Sequence, residues 1–515
     1  MIIAFTYLIL IFVWFKSEKK PIRYGVFISA VCIATLWRLS SWLEPYCLNS
    51  DEAEWLVLAH RSESCSIPFR CFNSSTSGFL NILILKILPI LGLKWTYMNL
   101  RIFGFIAFVL PSGIFIMRGL QIYYGRVICN YLFPWISLLL IFCFYDREFL
   151  AYNTEYPLLL FYSIVYYLYA FIRTKNFIEY KLILLLSLIL GFLPYIKLQS
   201  VPFVFAWYMI LLFVLLRNKQ TREIIFLHLG LILPSFIFFI YFLSIGILND
   251  FYRMYIESNA YYVTHRITTY KFGNTEFIHR LRTFKNLHLW TFKSVYIGLI
   301  PVFLYMISKL YKNIIKDIKV DWGMLWVFVC VSYSTYTTGN GFGHYNILLL
   351  APLLYVIGNV YSNVHQYNKN ILKICTLLGV LYPLLIYNTR SERSKYIVDR
   401  YLTSTEKYIV NNTNKDEFVY FLGWKEALES QLITERRLPG RNATFQYIGI
   451  KDFALRQYYQ SGWFYDMEKH NPPIIIDMVK VLNMKGLDPL KKYVIKNYYI
   501  DTVIDGNIVY HCKKN

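Results

Sequence analysis

The chain is a series of apolar stretches, each about as long as a membrane helix, separated by short clusters of lysine and arginine. That alternation limits what it can fold into. A helix needs about 20 apolar residues to cross the hydrocarbon layer, and within that layer only helices and closed barrels satisfy every backbone group. Residues 24–43 form one such stretch, and others recur as far as residue 388. Of 515 residues, 57% are hydrophobic and 19% aromatic, and the mean hydropathy is +0.40. A soluble domain of this size does not carry so much apolar material. The expected fold class is therefore an all-α polytopic membrane protein, with a small α/β domain at its C-terminal end.

The formal net charge of +22 would suit nucleic acid, but the basic residues lie between apolar spans rather than on one soluble basic domain. This is how cytoplasmic loops read under the positive-inside rule, and no nucleic-acid partner is expected. The clusters are Lys16/Lys19/Lys20/Arg23, Arg118/Arg126, Arg173/Lys175/Lys181, Arg217/Lys219/Arg222, Lys309/Lys312/Lys316/Lys319 and Lys369/Lys373. Placing them inside puts the loops 44–96 and 247–290 outside, with the turns before Glu155 and His344, Lys197, and everything after residue 388. The stretch 1–15 has its positive charges after it, unlike a cleaved signal peptide, and reads as a retained span with its N-terminus outside. The parity requires that 78–93 not cross: Asn81, Lys86 and Pro89 make it an in-plane amphipathic helix. The count is then twelve spans.

Residues 1–388 are thus expected to form the membrane domain and 389–515 the outer domain. In the latter, 417–422, 473–477 and 502–504 read as strands, 451–469 and 489–497 as helices, and Asp505-Gly506 as a tight hairpin turn. The nine cysteines form no CxxC pair or Cys/His metal spacing. Cys47, Cys65 and Cys71 share one outer loop, where a disulfide is open in an oxidising compartment. Asn73-Ser74-Ser75, Asn411-Asn412-Thr413 and Asn442-Ala443-Thr444 fit the glycosylation pattern, which also arises by chance.

Carboxylates at a bilayer edge are costly to desolvate and are read first as functional. Asp51 and Glu52 open the first outer loop, followed by Glu54, expected to be solvated. Adjacent helical residues point about 100° apart, so Asp51 and Glu52 are not expected to share one task. Glu155 begins a span; Lys197 ends one; His344 and Tyr345 precede another. The loop 249–290 adds Arg253, Arg266, Lys271, Arg280, Arg282 and Lys285, which call for an anionic partner. Each has a plain alternative: a helix-cap carboxylate for Asp51 and Glu155, a snorkelling lysine for Lys197, belt aromatics for His344-Tyr345. Read together, a carboxylate and cations at the bilayer surface suit transfer of a sugar from a lipid-linked phosphate. The carboxylate accepts the acceptor's proton and the cations stabilise the departing phosphate.

At these positions the chain resembles the C-type (GT-C) glycosyltransferases, which include protein O-mannosyltransferases and lipid A aminoarabinose transferases. The resemblance covers residues 24–360. Ser50-Asp51-Glu52-Ala53-Glu54-Trp55 is similar to the family's acidic motif, and Asn99-Leu100-Arg101-Ile102-Phe103 to its arginine-bearing span. Glu155 stands where the family usually has Asp; Lys197 resembles its phosphate-contacting lysine, and His344-Tyr345 its pair before a late span. Phe421–Leu428 and Asn471–Asp477 look like the outer domain of bacterial members. The resemblance implies inverting transfer from a polyprenyl-phosphate sugar, with Asp51 as base, at the extracytoplasmic face of a bacterial inner membrane. The acceptor is left open among glycan, lipid and protein. No cofactor is read from the sequence, and a divalent metal, which Glu155 could hold, is left open. The rivals are a flippase of lipid-linked glycans, and a polymerase or ligase.

Overall fold

The computed structural model describes residues 20–141, 147–174, 178–265, 296–308, 319–337, 343–366, 368–390, 402–423, 425–444, 450–484 and 486–513, with isolated positions 10, 13, 285 and 292. The expected span 1–15 and most of the basic loop 266–290 therefore lie outside the described residues. The chain divides into two compact units. The first comprises Met1–Trp42, Phe103–Ile240 and Val263–Tyr396; the second comprises Leu43–Ile102, Tyr241–Tyr262 and Ile397–Asn515. The two loops read as outer and the C-terminal segment thus belong largely to one unit.

In the first unit the apolar stretches are helices. Among the described residues, five helices are long and apolar enough to cross a membrane: Tyr97–Tyr124, Glu155–Arg173, Leu198–Arg217, Thr221–Ser244 and Gly343–His365. Tyrosines hold several of them together. Tyr162 stacks on Phe203 with centroids 3.6 Å apart, and Tyr166 lies against Trp207 at 5.0 Å and Tyr355 at 4.3 Å. Such aromatic pairs add about 0.5–1.5 kcal/mol beyond the area they bury. Close backbone approach does the same elsewhere. A Cβ on Gly191 would stand 2.7 Å from the Leu231 carbonyl oxygen, so glycine there lets the Tyr180–Ile196 and Thr221–Ser244 helices touch, the small-residue contact common inside membranes.

In the second unit a four-stranded sheet runs in the order β1-β2-β4-β3, from Val419–Leu422, Ile474–Asp477, Tyr498–Ile504 and Asn507–Cys512 in sequence order. β1 and β2 are parallel, and β4 pairs antiparallel with both β2 and β3. Asp505 and Gly506 both take positive φ, 51° and 81°, the geometry that a two-residue hairpin turn requires. Ile409, Val419, Phe421, Ala427, Ile474, Ile476 and Val509 form the core beneath the sheet.

The first outer segment folds onto this core. Ser50–Ser64 is a helix, N-capped by Asn49, whose side chain accepts from the Glu52 amide, and it packs on the Lys425–Ile433 helix. Residues 78–93 form two short helices, Phe79–Leu85 and Ile87–Ile90, broken at Lys86. Together they rise about 18 Å, less than the ~30 Å hydrocarbon layer. Lys86 Nζ donates to the Ser62 carbonyl at 3.3 Å and to Ser66 Oγ at 2.5 Å, while Ile90 and Leu91 are exposed. Cys65 and Cys71 are joined by a disulfide, with Cα atoms 5.7 Å apart, and Cys47 is a buried free thiol. Between the bridged cysteines, Phe69 enters an aromatic cluster of Phe79, Phe242, Phe251 and Tyr255, with centroids 5.6–6.1 Å from its own.

Two of the glycosylation triplets meet here. Asn73 Nδ2 donates to Asn442 Oδ1 at 2.9 Å, and both residues are buried. An asparagine enclosed in this way offers no amide for attachment; the pair joins the first outer segment to the C-terminal one. Asn411, in the third triplet, is exposed.

Candidate active site

Three chain ends of the first unit bring four expected residues together. Glu155 is the first residue of the Glu155–Arg173 helix, and Lys197 follows the last turn of Tyr180–Ile196 in extended conformation. Tyr345 lies on the 3-10 turn Gly343–Leu349, which opens the Gly343–His365 helix. The Glu155–Arg173 helix packs against both the Tyr180–Ile196 helix and the Gly343–Leu349 turn, which is why residues 155, 197 and 345 can meet. Lys197 Nζ donates to Glu155 Oε1 and, at 3.0 Å, to Thr154 Oγ1. It also lies 5.3 Å from the centroid of the Tyr345 ring, and His344 packs on Tyr345 at 4.6 Å between rings.

The cluster is enclosed. Glu155 is 1% exposed, Thr154 2%, His344 4%, Lys197 and Tyr345 7%. A lysine buried to this degree is not snorkelling to the interface, since its ammonium lies inside the protein. An ammonium has three N–H donors: one goes to Glu155 and one to Thr154, and among the described residues the third has the π-face of Tyr345 near it and no oxygen partner. Thr154 was not singled out in the sequence, because a hydroxyl residue before a helix is also the ordinary start of one.

Asp51 and Glu52 lie in the second unit and differ sharply. Asp51 is half-buried in the first turn of the Ser50–Ser64 helix, with Ser50 Oγ donating to its Oδ1 at 3.5 Å. Glu52 is fully buried in a two-point ion pair with Arg101: Nε to Oε1 at 2.8 Å and Nη2 to Oε2 at 2.7 Å. The same guanidinium donates to the carbonyls of Glu44 at 2.8 Å and Tyr46 at 2.6 Å, and the Leu48 amide donates to Glu52 Oε2 at 3.0 Å. Arg101 and Glu52 therefore hold the segment leading into the helix that carries Asp51. A carboxylate engaged on both oxygens is a clamp, not a free base. Glu54, expected to be solvated, is instead 6% exposed, because its helix face turns into the unit.

Glu429 Oε1 accepts from the Cys47 amide at 2.9 Å, and burial with the Glu429 carboxylate pushes the Cys47 thiol up, away from thiolate. Of the loop cations, Arg253 pairs with Glu257 at 2.7 Å and Lys285 is exposed. Arg266, Lys271, Arg280 and Arg282 lie outside the described residues. Among the described residues, no three His, Cys, Asp or Glu side chains are grouped to hold a metal ion.

No family model and no curated protein matches the chain. Solved structures do. ArnT from Cupriavidus metallidurans bound to undecaprenyl phosphate matches with a TM-score of 0.58 at 10% identity, over 94% of this chain and 98% of that one. The same protein in the apo state matches with a TM-score of 0.52 at 9% identity, over 95% and 98%. At such identity the likeness is one of fold. The chain shares that fold along nearly its whole length, and its long apolar helices are those of an integral membrane protein.

Proposed function

We propose that this protein is a glycosyltransferase that moves one sugar, with inversion, from a polyprenyl-phosphate donor to an acceptor on the extracytoplasmic side. The observation that carries the reading is the Lys197 cluster: a buried ammonium at the ends of membrane helices, steadied by Glu155 and Thr154, with one N–H uncommitted to any oxygen among the described residues. That donor suits a phosphate oxygen, and a charge-assisted bond in an enclosed site is stronger than one in water. The ArnT structure that shares the fold is bound to undecaprenyl phosphate, a ligand of this chemical class.

In this reading Lys197 stabilises the charge growing on the leaving phosphate. Glu155 is a positioning residue that orients the ammonium, and Tyr345 covers it. Asp51, the least encumbered carboxylate of the acidic motif, takes the proton of the acceptor hydroxyl. The anomeric carbon passes through an oxocarbenium-like state, as in glycosidases. The Cys65–Cys71 disulfide supports an oxidising, extracytoplasmic location for the first outer segment. A flippase would place its key charges near the midplane on broken helices, whereas this cluster stands at helix ends.

The test is transfer by purified protein from a short-chain polyprenyl-phosphate sugar. Asp51→Asn is expected to lower kcat by 10²-fold or more, the scale of general-base catalysis. Lys197→Gln should lower it comparably. Intact turnover in Asp51→Asn would remove Asp51 as base; absence of any transfer by the wild type across donor sugars would favour the flippase.

A further inference from the structure

The mechanism above leaves unused a second buried cation. Arg61 sits in the last turn of the Ser50–Ser64 helix and is 8% exposed. Its Nη1 donates to Ser64 Oγ at 2.7 Å and its Nη2 contacts His470 Nε2 at 3.1 Å. A guanidinium only donates, so His470 Nε2 accepts and the imidazole is neutral in this arrangement. Burial and the Arg61 charge both hold His470 below its ordinary value, which agrees. Arg61 Nε has no partner among the described residues. The ring of Phe418 lies 5.8 Å from the guanidinium carbon, and Phe418 packs on His470 at 4.4 Å.

Among the described residues, no carboxylate is committed to Arg61. The charged groups near it are Asp466, Arg437, Arg441 and His470. Asp466 is taken by Arg441, whose amide and Nε donate to Oδ2 at 3.0 and 3.1 Å and whose Nη2 donates to Oδ1 at 3.4 Å. Arg437 is matched by Asp416 at 2.6 Å. The negative end of the arginine's own helix is served by Lys86, which donates to the Ser62 carbonyl. An enclosed guanidinium whose acidic neighbour is engaged elsewhere is costly, and buried charges are ordinarily paired.

We propose that Arg61, with His470 beside it, is an anion site in the second unit that takes a phosphate or carboxylate group, with Nε and Nη2 presenting a two-pronged fork. On binding, the anion accepts the Nη2–H hydrogen bond now given to His470, and Nε2, released, takes up a proton from solvent and donates to the same anion. It uses residues other than those assigned to the donor phosphate at Lys197, and its test does not depend on transfer.

The experiment is a titration of inorganic phosphate into full-length Lys197→Gln protein, which removes the other candidate phosphate ligand. Thermal denaturation is the readout, against potassium chloride at matched ionic strength. A saturable phosphate-specific rise in Tm is expected, weakened tenfold or more in apparent affinity by an added Arg61→Met. Arg61→Lys, which keeps the charge but loses the fork, should weaken it less and serves if Arg61→Met fails to fold. Nanodiscs of phosphatidylcholine and of phosphatidylglycerol identify the source. If anionic lipid competes with phosphate, the natural ligand is a lipid headgroup; equal titration in both assigns a soluble or substrate-borne anion. A phosphate effect that is absent in Lys197→Gln protein, or unchanged by the added Arg61→Met or Arg61→Lys, overturns the site.

Discussion

Replacing Arg101 tests whether the buried clamp holds the segment ahead of Asp51. Both side chains of the Arg101–Glu52 pair are 0% exposed, so Arg101→Met leaves the Glu52 carboxylate buried without its cation. Breaking one side of such a pair costs about 3–5 kcal/mol. The carbonyls of Glu44 and Tyr46 also lose their donors, which puts the expected loss near 4 kcal/mol. Glu52→Leu should cost about 3 kcal/mol by the same reasoning. The double substitution removes both charges and should cost about 4 kcal/mol rather than the sum of about 7, a coupling near 3 kcal/mol. Arg101→Lys keeps the charge but loses the fork that matches two carboxylate oxygens and two carbonyls, and should cost about 2 kcal/mol. The assay is denaturant unfolding of detergent-purified protein, followed by protease protection at the Glu44–Leu48 segment. Single costs that sum to the double within about 0.5 kcal/mol would refute the clamp. So would Arg101→Met protein as stable as the wild type.

Three further outcomes are expected. Burial pushes Asp477 up to about 6 from its ordinary 3.8, so the folded state holds a proton that the unfolded state has released between those values. Stability of the C-terminal sheet should therefore fall as pH rises from about 4 to about 6, and Asp477→Asn should flatten that slope in pH-dependent urea melts; an unchanged slope would exclude Asp477 as its source. Gly191→Ala would press a Cβ to 2.7 Å from the Leu231 carbonyl oxygen, and overpacking of this kind costs about 1–3 kcal/mol. A thermal melt indistinguishable from wild type would mean the two helices are not in contact there. Non-reducing peptide mapping should recover residues 65 and 71 as one cross-linked species, with Cys47 alkylated only after denaturation; free thiols at 65 and 71 in protein isolated without reductant would contradict the bridge.

Much of the architecture was legible because it rests on local regularities. Apolar stretches of membrane length become helices wherever backbone groups must be satisfied within the segment. Asp505-Gly506 is one of the few dipeptides that accept positive φ at both positions, so the β3–β4 hairpin could be read directly. Short continuous apolar runs likewise marked β1 and β2. Asn81, Lys86 and Pro89 marked 78–93 as unlike a span, but not the break at Lys86 that divides it into two short helices.

The partners of the polar side chains were not legible. Glu52 and Asp51 are neighbours in one acidic run, yet one is sealed against Arg101, 49 positions away, and the other is half-buried. Their 100° separation on the helix marked them as different without saying which was which. Asn73 and Asn442 looked like surface attachment sites, and a hydrogen bond across 369 positions made them interior. Arg61 carried no signal, because an arginine near a helix end is ordinary until its acidic neighbour is found to be engaged by Arg441.

The sequence alone determined that the chain is built of long apolar helices and where it turns to α/β structure, since each depends on the chemistry of a short window. Tertiary structure alone decided that Lys197 meets Glu155, Thr154 and Tyr345, that Glu52 is neutralised and that Arg61 has no carboxylate partner among the described residues. The cost or use of a buried charge depends on what lies a few ångströms away through space, and chain order does not encode that distance.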